Sequence, residues 1–205
     1  ANDPRGLLAR LRQTLQRCAP TTGKPASPLA NDPVLRELNG AFALVLADDQ
    51  GCWVVTDPMN FVQVYETRDA AGKLLGIGTH SDTVAAVCCQ AEKLDLCSVA
   101  EFLNAGTPSH PHTMYDSTKE LAPGAAHWFG MAESANSRTI LSYWSPPPEE
   151  TQGVRFEEQA AVLRHALTEA VRERCPRGRM GVFLSGGLDS RVVLNLVPRD
   201  ANCLA

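Results

Sequence analysis

No stretch of the 205-residue chain approaches the roughly 20 consecutive apolar residues that a bilayer-spanning helix requires; the best run, Ala41 to Ala47, has only the length of a strand. A membrane partner is therefore not expected. Basic residues are in no excess: the formal net charge is −4, and Lys and Arg are scattered singly, leaving no electrostatic footprint for a phosphate backbone. Nucleic acid is not an expected partner either. The opening residues Ala1-Asn2-Asp3-Pro4-Arg5 lack the basic-then-apolar order of a secretory signal, so the expected compartment is the cytoplasm. No C-x-x-C pair is completed by a second such pair or by histidines. The seven cysteines, with Cys88 and Cys89 adjacent, therefore read as reduced thiols packed as small apolar residues rather than as a zinc site or a disulfide framework. Internal repeats and low-complexity tracts are also missing.

What is present divides at one place. Leu7, Leu8, Leu11 and Leu15 recur at helical spacing, which predicts an amphipathic helix ending near Cys18-Ala19-Pro20. Thr21 to Pro33 then reads as a loop. The stretches Ala41–Leu46 and Cys52–Val55, separated by Asp48-Asp49-Gln50-Gly51, predict a hairpin. Val62–Tyr65 and Leu74–Gly78, around Asp69-Ala70-Ala71-Gly72, predict a second hairpin in the same antiparallel sheet. Helices follow near Asp82–Cys88 and Ser98–Leu103, the latter with Ser98 as N-cap and Glu101 at the capping-box position. Consecutive prolines in Ser145-Pro146-Pro147-Pro148 mark the strongest boundary. The expected organisation is residues 1–145, a linker at 146–153, and 154–205. Beyond the linker, Phe156, Ala160, Leu163, Leu167, Ala170 and Val171 share a helical face, and Met180–Leu184 reads as a buried strand.

The segment with chemistry follows that strand: Ser185-Gly186-Gly187-Leu188-Asp189-Ser190, running into Arg191–Leu196. Gly186 and Gly187 allow close backbone approach to a polyanion and conformations closed to other residues. Free amides at the helix start, at the positive end of its dipole, suit phosphate oxygens. Ser185 and Ser190 can donate hydroxyl protons. Asp189 would repel phosphate directly, so it makes sense as a ligand of a bridging magnesium. The plain alternative is a tight turn with Asp189 as a helix cap.

This hexapeptide resembles the PP-loop of the ATP-pyrophosphatase superfamily, whose members cleave ATP between the α and β phosphates to adenylate a substrate. The resemblance implies that the Leu184 backbone meets adenine and that Ser185, Gly186, Gly187, Asp189 and Ser190 bind the pyrophosphate portion, with Mg2+ on Asp189. The preceding half is similar to the glutaminase domain of asparagine synthetases: Leu38-Asn39-Gly40-Ala41-Phe42-Ala43-Leu44, then Asp57, Asn60 and Gln63-Val64-Tyr65 where the family has Asp, Gly and Pro-Leu-Tyr. Asn60 is tolerable for glycine because asparagine enters left-handed conformations; Gln63 for proline is a departure. Leu94-Asp95, Phe102-Leu103, Gly106, Thr113-Met114-Tyr115, Leu121-Ala122-Pro123-Gly124 and Tyr143-Trp144 keep the order and spacing, so the resemblance runs from about Leu38 to Leu196. The implied fold class is α/β: a partial Ntn-hydrolase-like α-β-β-α domain, degenerate or truncated, then the start of a Rossmann-like PP-loop domain of the adenine nucleotide α-hydrolase type.

Glutaminase chemistry in that family uses an amino-terminal cysteine. Position 1 is Ala, no Asn-Gly-Glu-Ile-Tyr-like segment is present, and Cys18 reads as an internal packing residue, so no glutaminase activity is expected and no catalytic side chain is assigned. A doubly wound sheet cannot bury its faces with one strand and one helix. The chain stops at Asn202-Cys203-Leu204-Ala205, where a second sheet strand should be starting, and the parallel neighbours of Met180–Leu184 are expected from missing sequence or another chain. His110-Pro111-His112, the carboxylate pairs Asp48-Asp49 and Glu149-Glu150, and His80, His127 and His165 read as loop, turn, linker, sheet or helix residues without chemistry. Trp53, Trp128, Phe129 and Trp144 read as core. The expected activity is ATP-dependent amide formation from a carboxylate, as in asparagine synthetase, or alternatively cyclisation as in β-lactam synthetases and lasso-peptide cyclases. A non-catalytic fragment or binding subunit is the reading of another class. PP-loop enzymes of tRNA thiolation or of NAD or GMP synthesis lack the sheet domain.

Overall fold

The structure, a computed structural model, describes residues 4–18, 32–130, 138–146, 155–176 and 178–204. The chain divides into two units, one ending at Pro146 and the other beginning at Pro147.

In the first unit, helix α1 (Pro4–Cys18) places Leu11, Leu15 and Cys18 on one buried face, as its heptad-like leucine spacing requires. Pro33 does not extend the preceding loop but opens a short helix α2 (Pro33–Arg36), because Asp32 caps it by accepting from the amides of Val34 and Leu35. Strands β1 (Ala43–Ala47) and β2 (Gly51–Thr56) form the expected hairpin, its turn held by Asp48 Oδ1, which accepts from Gln50 and Gly51 N–H. That bond explains Asp48 as a turn residue.

The second hairpin, β3 (Tyr65–Arg68) with β4 (Leu74–Gly78), starts at Tyr65 rather than at Val62 and belongs to a different sheet. Two antiparallel sheets are present: β1-β2-β6-β7, completed by β6 (Ala125–Gly130) and β7 (Arg138–Ser142), and β4-β3-β5, completed by β5 (Thr118–Glu120). Alternation along β2 and β6 separates two apolar layers. Trp53, Val55, Ala126 and Trp128 face α1 and α2, whereas Val54 and Phe129 pack with Val64, Leu121, Leu74 and Ile77 on the side of the second sheet. Helix α3 (Ser81–Val87) covers the second sheet, and Val84 sits so close to Gly76 and Gly78 that a Cβ on Gly78 would lie 2.6 Å from Val84 Cγ2. The layering is helix, sheet, sheet, helix. Helix α4 (Leu96–Ala105) begins two residues before the expected cap. Asp95, not Ser98, is its N-cap, accepting from Cys97 and Ser98 N–H, while Glu101 accepts from Ser109.

Two buried polar groups shape this unit. Asp57 is fully buried, and its carboxylate accepts from the amides of Phe42, Met59, Phe61 and Val62 at 3.0–3.3 Å. The tight turn it organises puts Asn60 at φ +53°, a left-handed conformation that asparagine enters more readily than most residues. His127 is fully buried on β6, with Nε2 3.0 Å from the Ala122 carbonyl. A carbonyl can only accept, so Nε2 carries the proton and Nδ1 is left buried without a partner. Burial, aided by nearby Arg138 and opposed by the Ala122 carbonyl and Glu66, holds the imidazole at about 4. A depressed histidine lets the unfolded chain bind the proton first. Stability is therefore complete above pH 6.5 and falls as pH drops toward 4, by about 3 kcal/mol in all. Denaturant titrations at pH 7 and pH 4.5 should show a smaller acid loss in His127→Gln than in the parent; equal losses would contradict this assignment.

The second unit contains helix α5 (Phe156–Arg174), strand β8 (Met180–Gly181), helix α6 (Leu188–Leu196) and strand β9 (Cys203–Leu204). The expected strand Met180–Leu184 is parallel but short, and its neighbour comes from this chain rather than from elsewhere. Met180 pairs with Cys203 and Gly181 with Leu204, and Val182 N–H donates to Leu204 O at 2.9 Å. Nor is the strand buried: Phe183 is 100% exposed, because the ladder runs out one residue before it and nothing among the described residues covers that face. The apolar face of α5 is likewise uncovered at Phe156 and Leu163, although α5 packs against α6. Of the linker at 146–153 only Pro146 is among the described residues; Ala1 and Glu149-Glu150 also lie outside them. No described helix is long and apolar enough to cross a membrane.

Candidate functional site

The loop 185–190 leaves the carboxyl end of β8 and enters α6. Gly186 has φ +72°, a conformation that L-residues with a Cβ avoid. Gly187 is the N-cap in an extended conformation, φ −75° and ψ 167°, and provides no side-chain cap. The first amides of α6, from Leu188 onward, therefore lack both an intrahelical acceptor and a capping side chain. Asp189 lies exposed in the first turn. Leu184, also exposed, stands just before the loop.

Ser190 draws the two ends of the loop together. Its Oγ accepts from Ser185 N–H at 3.3 Å, lies 3.3 Å from Ser185 Oγ and donates to Gly187 O at 3.3 Å. The two hydroxyls named from the sequence thus converge on one point beside the uncapped helix start. This arrangement presents donors and a positive dipole end on open surface, which is what an anion requires. One residue was missed by sequence reasoning. Arg191 donates through Nε to Gly187 O and through Nη2 to Gly186 O, each at 3.1 Å. The available signal was spacing: a long donor four residues after Gly187 lies over the turn N-terminal to it.

The residues set aside earlier stay apart from this loop in sequence and have local partners. His110 faces Glu120 at 3.8 Å, and His112 lies 3.1 Å from Lys119 Nζ. His80 precedes α3 with its Nδ1 3.1 Å from Thr79 Oγ1, and His165 is exposed on α5. No group of three or more His, Cys, Asp or Glu among the described residues could hold a metal ion. Trp53, Trp128 and Phe129 are core, with the two indole rings 5.2 Å apart. Trp144 is not: it is exposed, following the last strand of its sheet, and its backbone N–H donates to Gly124 O at 3.1 Å. Cys18 packs in the core, and burial pushes its thiol up, away from nucleophilic character.

A search among curated proteins finds none that matches this chain. Residues 162–203 match the family model described as asparagine synthase, a segment that contains most of α5, all of β8, the loop 185–190 and α6. The match lies wholly within the second unit, and for that segment it supports the asparagine synthetase family.

Proposed function

We propose that residues 154–205 carry the ATP-pyrophosphate-binding loop of an amide-forming ligase of the asparagine synthetase type. The observation that carries this reading is that the matched segment contains a loop with a left-handed glycine, an uncapped helix start and two converging hydroxyls. In this reading the amides following Gly186 take the phosphate oxygens, joined by the hydroxyls of Ser185 and Ser190 once these turn away from each other and from Gly187 O, and the Leu184 backbone faces adenine. Asp189 fits a magnesium ion only together with the nucleotide, since it belongs to no group of three or more His, Cys, Asp or Glu among the described residues that could hold a metal ion. The metal would neutralise charge between carboxylate and phosphates. A substrate carboxylate attacks the α phosphorus, pyrophosphate leaves, and a nitrogen nucleophile displaces AMP from the acyl-adenylate. The loop's part is positioning and charge neutralisation.

Support for the rest of the architecture is the layering of the first unit, helix on sheet on sheet on helix, which suits a glutaminase-like domain at 1–145 joined through 146–153. Leucine-lined surface on the second unit suits completion by further ligase sequence or another chain. The test is direct. Calorimetric titration of the protein with Mg–ATP should show saturable binding, and incubation with candidate carboxylates and amines should yield AMP and pyrophosphate. Absence of binding, or release of ADP and phosphate, would refute the proposal; binding without turnover would reduce it to a nucleotide-binding role. Gly186→Val, which forces a branched side chain to φ +72°, should weaken Mg–ATP binding about tenfold or more while leaving the thermal midpoint of the first unit unchanged.

A further inference from the structure

We infer that Arg191 is a positioning residue, which aims the loop's amides at the polyanion by holding the opposite ends of the same peptide units. The inference rests on the reading of 185–190 as a phosphate-binding loop. Its physical basis is peptide planarity. In a trans peptide the carbonyl of one residue and the N–H of the next point in opposite directions. Arg191 Nε and Nη2 bind the carbonyls of Gly187 and Gly186 at 3.1 Å each. The N–H groups that belong to those two peptide units are those of Leu188 and Gly187. Fastening both carbonyls to one rigid guanidinium therefore turns both amides to the side away from it.

The device answers a problem that the sequence creates. Two consecutive glycines give the loop access to phosphate, but they also give it the largest conformational freedom of any dipeptide. No side chain caps α6, and the serine contacts, all 3.3 Å, are long. The Arg191 pair supplies the shorter bonds, and each has a charged donor. Only arginine can do this, since its planar fork reaches two neighbouring oxygens at once, whereas lysine offers a single rotating ammonium.

That difference sets the experiment. Arg191→Lys keeps the charge and loses the fork; Arg191→Gln loses both. Inorganic pyrophosphate with magnesium is titrated into the full chain and into each variant at several salt concentrations. A positioning role predicts that both variants bind about tenfold more weakly, Arg191→Lys losing as much as Arg191→Gln although it keeps the charge and the parent's salt dependence. If Arg191 instead touches phosphate, Arg191→Lys retains most of the affinity while Arg191→Gln loses it, which overturns the inference. A second arm needs no ligand. Amide exchange and nitrogen shifts of Gly187 and Leu188 should change in Arg191→Lys, with the helix signals of α5 unmoved; unchanged loop amides also overturn it. Failure of the parent chain to bind pyrophosphate would instead strike the functional proposal, leaving the ligand-free arm to decide whether Arg191 orders the loop.

Discussion

Asp189→Asn is expected to abolish magnesium-dependent exchange of pyrophosphate into ATP, with a loss of about a hundredfold or more, and yet to bind metal-free ATP more tightly than the parent. The opposite signs are the point. A carboxylate in the first turn of α6, beside two converging serine hydroxyls, would sit next to phosphate oxygens of like charge. In the absence of a divalent ion that repulsion weakens binding, and the asparagine amide relieves it. With magnesium present the carboxylate becomes a ligand, and the neutral amide is a poorer one for a hard cation. Titrations with and without EDTA distinguish this from a helix-capping role, in which the substitution would act equally in both conditions. If Asp189→Asn lowers ATP affinity to the same extent with and without metal, the assignment of Asp189 to magnesium is wrong.

The largest structural effect should come from a residue far from the loop in sequence. Asp57→Ala is expected to cost about 3 kcal/mol or more of stability, because four backbone amides lose their only shared acceptor in a buried turn. Burial alone pushes this carboxyl up, but the amides of Val62, Phe61, Phe42 and Met59 outweigh it together and hold it below its ordinary value. For a carboxylate with a depressed folded value, the stabilisation is complete above the unfolded value, near pH 4, and disappears as pH falls through the folded one. The parent should thus lose stability steeply at the acid end, in addition to the His127 effect at higher pH, and Asp57→Asn should lose less there while starting lower. Urea unfolding of the three proteins between pH 2.5 and pH 6 measures this. Parallel curves would show that the turn does not depend on the charge.

The parts legible in the sequence were those decided locally. The β1–β2 hairpin follows from two apolar runs around Asp48-Asp49-Gln50-Gly51, and the strand-loop-helix at 180–196 follows from an apolar run meeting two glycines. Asn60 was readable because few residues enter the left-handed region. The misread parts depend on what lies across space. That β3 and β4 form a sheet of their own is set by pairing with β5, some fifty residues away, and by which faces Val54 and Phe129 present; local alternation is the same in either sheet. Asp95 displaced Ser98 as the cap of α4 because its carboxylate, three residues earlier, accepts from the amides of Cys97 and Ser98 and also from the Ser98 hydroxyl, so that Ser98 falls inside the first turn as a donor. Burial of Phe183 could not be inferred from its apolar neighbours, since hydrophobicity records what a strand can bury rather than what covers it. The serines and glycines of the site were visible as a pattern; the Arg191 contacts were not, because they depend on the left-handed turn at Gly186 that brings two carbonyls under one side chain.

The indole pair of Trp53 and Trp128, in contact across β2 and β6, has an optical consequence. All three tryptophans and all three tyrosines precede Pro147, and the residues after it contain neither. Tryptophan emission therefore reports on the first unit alone, from two core rings on the α1-facing side of β2 and β6 and from the exposed Trp144. Unfolding of α5, α6 and the short parallel ladder is dark in that channel. A single fluorescent reporter placed at Phe183, where the side chain already stands in solvent, would give the second unit its own signal without disturbing a packed residue.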